Sequence, residues 1–273
     1  MSTEEREYVL GTHAAELTRL GLQHRLWSGH ALALWERCGL AEGHTILDVG
    51  CGPGYATLDL AQLVGPRGRV FAVDASQRFI DRLRGECSAR GVTNVEPIVA
   101  DVHEYRPAAA SLDGAYARWV LCFLTDPQKV VAHVAAGLRP GGFFAVQDYF
   151  NYESLCVAPR SPAFERVVAA VGESWRKHGG DPDLAGRLPA MMERCGLELR
   201  EIRPILRVAR PGSALWQWPT TFFSNYVPAL VEMGLLTRDE QNDFEREWAE
   251  RTQNPSAFFV TPPVFDIVGV KRS

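Results

Sequence analysis

The chain has 273 residues, and its 46% hydrophobic and 23% charged content is that of an ordinary globular protein. The formal net charge of −4 leaves no basic footprint, which argues against nucleic acid as a partner. Residues 1–7 are polar and acidic, unlike a signal peptide, and no apolar run is long enough to span a bilayer. The six scattered cysteines form no C-x-x-C pair. We therefore expect a cytoplasmic protein with reduced thiols, no membrane association and no metal site.

The first predicted element is a helix over residues 8–37. Leu17, Leu20 and Trp27 recur at roughly helical spacing, which predicts an amphipathic helix. Its apolar stripe indicates a cap that packs on the rest of the protein, and part of this cap could also close over a ligand.

Residues 45–55 (TILDVGCGPGY) read as a buried strand, an acid and a glycine-rich turn that opens a helix. Glycines at such a turn let a ligand lie against bare backbone. A dinucleotide fingerprint needs a third glycine where Tyr55 stands, and the carboxylate of Asp48 would repel a pyrophosphate. The pattern D-x-G-x-G-x-G instead suits a ligand with a cationic part, such as an ammonium.

Acids also follow the next two predicted strands. The strand over residues 69–74 ends at Asp74, and Ser76 can cap the helix after it. A carboxylate at this strand tip can accept hydrogen bonds from both hydroxyls of a ribose, although it could instead cap the helix. A third strand, residues 95–99, precedes Asp101.

Residues 112–117 and 143–148 are the fourth and fifth predicted strands, with a helix over 127–137 between them. Residues 138–142 form a sharp L-x-P-G-G turn into the fifth strand. Five strand–helix alternations predict a parallel, doubly wound sheet.

The pattern loosens after residue 149. Residues 150–183 and 209–256 read as helical insertions rich in aromatic side chains, and residues 184–208 and 257–273 supply further strands. We expect the final strand, over residues 258–270, to be antiparallel at the sheet edge. The insertions should carry substrate choice, since variable elements over a rigid sheet usually do, although their aromatic residues could equally form the core of a helical subdomain.

The motifs resemble a known family. The D-x-G-x-G-x-G turn is similar to motif I of the class I S-adenosylmethionine (SAM)-dependent methyltransferases, and Asp74 to their motif II. The resemblance covers residues 44–147. Tyr8 and the R-L-x-x-Q pattern at residues 19–23 extend it to residues 8–27. It implies a Rossmann-like, doubly wound α/β fold with a mostly parallel seven-stranded sheet and an antiparallel edge strand. The chain, 1–273, would be a single domain with an N-terminal helical cap (1–43) and a SAM-binding core (44–149).

The resemblance also implies SAM as the cofactor and assigns residues to it. Asp74 would bind the ribose, Asp101 the adenine amino group, and Arg118 the SAM carboxylate, an acidic substrate or only a structural ion pair. Trp119 lies in the segment that passes under the methionine, although it could belong simply to the core. The expected cofactor-binding residues are Tyr8, Gln23, Trp27, Asp48, Gly50, Cys51, Gly52, Gly54, Asp74, Ala75, Ser76, Phe79, Asp101, Val102, Arg118 and Trp119.

The fourth strand is not followed by the N/D-P-P-Y/F motif of many nucleic-acid amino-methyltransferases, which favours a small-molecule substrate. The aromatic insertions suit an apolar or aromatic one. Holding donor and acceptor in line can remove on the order of 7–11 kcal/mol of barrier. We favour O-methylation over N-, S- or C-methylation, and a general base would help it. The candidate bases are His24, His103, His178, Asp148 and Tyr149, whereas His133 is expected to be structural.

Two other functions stay open. One is a SAM-binding protein that transfers no methyl group and catalyses a rearrangement or only binds, which agrees with the lack of an obvious base. The other is a nicotinamide oxidoreductase, which Tyr55 and Asp48 disfavour. The sequence leaves the oligomeric state open and is compatible with a homodimer.

Overall fold

The structure is a computed structural model that describes residues 14–272. The helices are α1 (Ala14–Arg37), α2 (Tyr55–Val64), α3 (Gln77–Arg90), α4 (Pro127–Gly137), α5 (Pro162–Lys177), α6 (Leu188–Arg194), α7 (Gln217–Glu232) and α8 (Arg238–Gln253). The strands are β1 (Thr45–Val49), β2 (Arg69–Asp74), β3 (Val95–Val99), β4 (Leu112–Arg118), β5 (Leu138–Tyr149), β6 (Cys156–Ala158), β7 (Leu197–Ile205), β8 (Val208–Ala209), β9 (Phe258–Val260) and β10 (Val264–Lys271). Short 3-10 turns lie at Leu121–Phe123, Tyr152–Ser154, Leu184–Gly186 and Ala214–Trp216.

Seven strands form the main sheet in the order β3-β2-β1-β4-β5-β10-β7. Strands β1 to β5 pair in parallel, and β10 is antiparallel to both of its neighbours, β5 and β7. The predicted α/β class and mostly parallel sheet are confirmed. The strand order reverses between β1 and β4, and ligands of such sheets bind at the carboxyl ends of the strands beside this reversal.

The position of the last strand corrects our expectation. Residues 258–270 form two strands rather than one, and the antiparallel β10 lies inside the sheet, while β7 forms the edge. The burial of Ile267 and Val268, which point to opposite faces, requires helices on both sides of β10 and strands beside it. By contrast, β7 carries exposed charged residues, which suit an edge.

Helices cover both faces of the sheet. Apolar residues of α1 and α2 pack on one face with Ile46, and those of α4 and α6 pack on the other face with Leu47 and Val49. Because side chains alternate along a strand, Asp48 shares the face of Ile46 and lies under α2. This alternation explains why an acid in β1 is buried.

Side chains cap the starts of α3 and α8. The Ser76 hydroxyl accepts a hydrogen bond from the Phe79 backbone N–H, so α3 begins where the sequence indicated. Thr237 and Glu240 form a capping box at the start of α8. Local sequence therefore sets these two boundaries.

The predicted helical insertions also contain a second sheet. Strands β6, β9 and β8 pair antiparallel, in that order, beside α5, α7 and α8. Each has only two or three residues, too few to show an alternating pattern. Part of the aromatic content packs these helices together: Trp216 stacks on Trp248 at 4.8 Å between ring centroids, and Trp248 stacks on Phe164 at 5.8 Å.

Within residues 14–272, no helix combines the length and the apolar character needed to cross a membrane. The six cysteines are free thiols. The same part of the chain brings no three His, Cys, Asp or Glu side chains together in a group that could hold a metal ion.

Candidate active site

The glycine turn after β1 requires its three glycines for different reasons. Gly50, Gly52 and Gly54 have φ values of 63°, 55° and 84°, where a side chain is strained. A Cβ on Gly50 would lie 2.6 Å from the Val120 side chain, and one on Gly54 would lie 2.3 Å from Leu83. Within residues 14–272, no atom would lie within 4 Å of a Cβ on Gly52. Gly50 and Gly54 thus permit close packing, and Gly52 leaves bare backbone open to a ligand.

Asp74 ends β2 beside this turn. Its carboxylate accepts hydrogen bonds from the backbone N–H groups of Gly52 (2.8 Å) and Ser76 (2.9 Å), one on each oxygen. Burial raises the pKa of Asp74, and these two bonds oppose the shift. Each oxygen keeps a lone pair for a further donor. Ala75 is exposed next to it, while the Phe79 ring is buried, with 3% of its surface exposed.

Asp101 and His103 form a pair after β3. The Asp101 carboxylate accepts from the His103 backbone N–H (2.9 Å) and lies 2.8 Å from His103 Nδ1. Asp101 is exposed, whereas His103 and Val102 are buried. This contact makes His103 a partner of Asp101. The strand order β3-β2-β1 places Asp101, Asp74 and the glycine turn side by side at the carboxyl edge of the sheet.

Asp48, which was expected to contact a cationic part of the ligand, is buried in the structure. Its carboxylate accepts a 2.7 Å hydrogen bond from the Thr57 hydroxyl of α2, and both residues are almost fully buried. Burial raises the pKa of Asp48 to about 6, opposed by the Thr57 bond and by the positive charge of Arg118. Cys51, next to the turn, is buried as well.

Arg118, at the end of β4, is held by a chain of polar side chains. Its guanidinium lies 3.0 Å from His24 Nδ1, and His24 Nε2 lies 3.0 Å from the Asp59 carboxylate. Both ring nitrogens of His24 are therefore engaged. Arg118 Nη1 is buried and has no hydrogen-bond partner within residues 14–272. Within the described residues Arg118 therefore contacts a histidine and keeps one guanidinium nitrogen without a partner, and its contact with a ligand carboxylate stays a prediction.

Trp119 follows directly and has an unusual backbone. Its φ is 53°, a left-handed value that is rare for a bulky residue and often marks a functional site. The ring stacks between Tyr149 (6.0 Å between ring centroids, 20°) and Trp218 (6.2 Å, 27°). Trp27, which is fully buried, packs edge-on against it at 5.4 Å. Trp119 therefore forms a fixed aromatic wall at the end of β4.

This wall borders a partly open cavity whose empty space, including the part open to solvent, is about 510 Å³. Its aromatic lining comes from Trp119, Phe123, Tyr149, Tyr152, Trp175, Trp218, Phe222, Phe223 and Phe259. Leu155, Pro219 and Pro262 complete the apolar surface. The remaining lining residues are Arg19 and Gln23 of α1, so a few polar groups face a mainly apolar space, as in many small-molecule sites.

The polar corner of the cavity is an ordered network. Arg19 forms two hydrogen bonds with the Glu16 carboxylate, at 2.6 and 2.7 Å, and both residues are buried. Arg19 Nη1 and Trp218 Nε1 donate to the same oxygen of Gln23, at 2.9 and 2.8 Å. The network joins α1 to α7 across the cavity.

The candidate bases are scattered. Tyr149 lines the cavity, and burial raises its pKa well above the ordinary value. Asp148 is buried elsewhere and accepts from the backbone N–H groups of Cys122 and Tyr149; burial raises its pKa to about 6. His178 lies at the end of α5, with Nδ1 2.7 Å from the Ser174 carbonyl.

His24 and His103 are engaged as described above, and His133, which lies on α4, accepts a hydrogen bond from Arg106. Tyr8 lies outside the described residues.

Several cavity residues were not among the predicted site residues. Arg19 stands within the R-L-x-x-Q pattern, so the signal was present, but only Gln23 was selected from it. Tyr152, Trp175 and Trp218 belong to segments that were described only as aromatic-rich insertions. Their convergence depends on the packing of α1, α5 and α7 over the sheet, which no local pattern indicates.

Comparisons with known proteins agree with this architecture. Residues 46–142 match the family described as "Methyltransferase domain". Trans-aconitate 2-methyltransferase from Azoarcus sp. is 33% identical over 120 residues, which are 44% of this chain and 45% of the relative. Methyltransferase GfsG from Streptomyces halstedii is 28% identical over 206 residues, 74% of this chain and 69% of the relative. For three of the curated relatives, this chain spans 28%, 40% and 45% of the relative's length.

Among solved structures, the YcgJ protein from Bacillus subtilis superposes with a TM-score of 0.63 over 90% of this chain and 99% of its own, at 19% identity, which shows a shared fold. SAM is the cofactor of this family, and the open backbone at Gly52 and the free lone pairs of Asp74 fit an adenosyl ligand. Residues 46–142 therefore match a methyltransferase domain, and the fold and the carboxyl-edge residues agree with the class I, SAM-dependent kind that the sequence resembles.

Proposed function

We propose that the protein transfers a methyl group from SAM to a small molecule bound in the aromatic cavity. One observation carries this proposal: the glycine turn and the cavity meet at the end of β4. Val120 packs against Gly50 of the turn, and its neighbour Trp119 lines the cavity. A cofactor at the glycine turn and a substrate in the cavity would therefore place their reacting groups next to each other at this junction.

The residues at the carboxyl edge would hold the cofactor. Gly52 offers open backbone, Asp74 has lone pairs for the ribose hydroxyls, and exposed Asp101 can accept from the adenine amino group. Arg118 Nη1 is a donor available to a carboxylate. SAM supplies an electrophilic methyl group on a sulfonium, and the task of the protein is to hold the acceptor in line with it and to exclude water.

The acceptor group follows from what lines the cavity. Its titratable side chains within residues 14–272 are Arg19, Tyr149 and Tyr152, and burial keeps both tyrosines protonated at neutral pH. None of these is a strong base. We therefore infer O-methylation of a hydroxyl that is itself acidic, such as a phenol or an enol, on a mainly apolar molecule.

The relatives support a small acceptor without selecting one. One is named for trans-aconitate, a small molecule. The aromatic lining of this cavity favours a flat apolar body instead of a compact polyanion.

Two measurements test the proposal. Isothermal titration with SAM and S-adenosylhomocysteine (SAH) should give saturable heat for the wild type, and Asp74→Ala should abolish it. Incubation with methyl-labelled SAM and a panel of phenols and enols should then give a labelled product by mass spectrometry. No heat with either cofactor form would contradict the assignment.

A second candidate function is catalysis of a rearrangement without methyl transfer. The absence of a strong base among the described cavity residues favours it. Turnover of an acceptor with no label in the product would select this function over methyl transfer.

The cellular location, the partners and the oligomeric state of the protein are proposals as well. The six free thiols agree with a cytoplasmic location, and the acidic net charge agrees with a small molecule as partner instead of nucleic acid. A homodimer stays compatible with the sequence.

A further inference from the structure

We propose that Trp119 and Gln23 select a neutral, planar ring compound that carries a carbonyl-type oxygen, by donating hydrogen bonds to that oxygen. The inference deepens the proposed function, since it names the chemical class that the aromatic cavity takes.

The Trp119 indole N–H is the first donor. The ring is 8% exposed, and Nε1 is buried with no hydrogen-bond partner within residues 14–272. A buried donor is costly to leave unpaired, and functional sites are where such groups persist. Stacking on Tyr149 and Trp218 and the left-handed backbone leave the ring little freedom to turn toward another partner.

The Gln23 amide nitrogen is the second donor. The amide oxygen accepts from Arg19 Nη1 and Trp218 Nε1, both of which can only donate, and this fixes which end of the amide is the oxygen. Both hydrogen bonds of the Gln23 side chain to residues 14–272 use its oxygen and none uses the amide nitrogen, and Gln23 is a lining residue of the cavity. It therefore presents N–H groups to a ligand.

The remaining polar groups of the cavity disfavour an anionic ligand. The Arg19 charge is paired with Glu16 in two short hydrogen bonds. Burial raises the pKa of the Tyr149 and Tyr152 hydroxyls, so they stay neutral and can also donate. Among the described lining residues a carboxylate would meet no unpaired cation, whereas a ketone or quinone-type oxygen needs only donors.

The test compares two probes of nearly equal shape, 1-tetralone, which has a ketone oxygen, and tetralin, which lacks it. Each is titrated into the SAH-saturated protein by ligand-observed NMR. The wild type should bind 1-tetralone more tightly than tetralin. Trp119→Phe, which keeps an aromatic ring but removes the N–H, should weaken 1-tetralone binding by about three- to tenfold and leave tetralin unchanged.

Two matched variants sharpen the comparison. Gln23→Glu keeps the oxygen that Arg19 and Trp218 need but removes the amide N–H, so 1-tetralone binding should again weaken. Trp35→Phe is the control, because Trp35 also has a buried, unpartnered Nε1 within the described residues but packs against Tyr116 on the other face of the sheet. It should change neither affinity.

Equal wild-type affinity for the two probes, or an unchanged preference in both Trp119→Phe and Gln23→Glu, overturns the inference. SAH binding is measured first on each protein. Normal SAH binding with no ketone preference refutes only this inference, whereas absent SAH binding by the wild type refutes the proposed cofactor and function.

Discussion

The hydrogen bond between Thr57 and Asp48 gives a prediction that separates charge from packing. The carboxylate is fully enclosed under α2, and the Thr57 hydroxyl donates to it at 2.7 Å. Replacing Thr57 by Val keeps the shape of the side chain but removes the donor. The cost of this change should depend on whether Asp48 is ionised.

The magnitude follows from the pKa. Asp48 has a folded-state pKa of about 6 against 3.8 for an ordinary aspartate. Because the folded-state value is the higher one, the unfavourable contribution of its burial is absent below about pH 4, develops between pH 4 and 6, and is complete above. At pH 8 the lost bond involves a charged acceptor, and Thr57→Val should cost about 1.5–3 kcal/mol. At pH 5 the acid is mainly protonated, and the cost should fall to about 0.5–1.5 kcal/mol.

Urea unfolding at pH 5 and pH 8, followed by tryptophan fluorescence, measures the difference. With an m-value of about 3 kcal/mol/M, the loss at pH 8 corresponds to a midpoint shift of about 0.5–1 M. Thr57→Ser is the control, since it keeps the hydroxyl and should have the same small effect at both pH values. Burial also raises the pKa of Asp148 to about 6, so the pH dependence of wild-type stability cannot be assigned to Asp48 alone. An equal cost of Thr57→Val at both pH values would refute the reasoning.

Three further outcomes are expected. Gly50→Ala should lower the free energy of unfolding by about 1–3 kcal/mol in urea and weaken SAH binding, because its Cβ would lie 2.6 Å from the Val120 side chain. Gly39→Ala is the control, since Gly39 has a similar φ but no neighbouring atom that its Cβ would meet within the described residues. Equal losses of stability in the two variants would contradict this reasoning. Asp74→Asn should weaken SAH binding by roughly 10- to 100-fold in calorimetry, and an unchanged affinity would remove Asp74 from the site. Glu16→Ala should cost about 3–5 kcal/mol in urea unfolding by leaving the buried Arg19 charge without its carboxylate, and a loss under 1 kcal/mol would show that the pair is dispensable.

Local sequence patterns predicted those helices and strands whose ends are set by residues within the same segment. The bounds of β2, β3 and α4 agree with the predicted ranges, because apolar runs, caps and glycine stops are encoded within each segment. Ser76 caps its helix as its position indicated. The acids Asp74 and Asp101 lie at neighbouring strand ends, since the strand–helix alternation forces a parallel sheet.

Contacts between distant segments could not be predicted in this way. His24 was a candidate base, but its two nitrogens are held by Arg118 and Asp59, which lie in other elements. Asp48 was expected to meet a cationic ligand, and instead α2 covers it. Trp119 was read as cofactor contact or core, and its left-handed backbone and aromatic stack are properties of the assembled site.

The interior position of β10 has a consequence for how the protein folds. Among the described strands, edge strand β7 pairs with β10 alone, and residues 206–263 lie between these two strands in the chain. During synthesis, β7 therefore emerges without a partner and waits until the insertion that carries α7 and α8 has been made. Closing so long a loop is slow, and an unpaired strand invites aggregation. The alternating charges on β7 then protect a nascent chain, before they serve the finished edge.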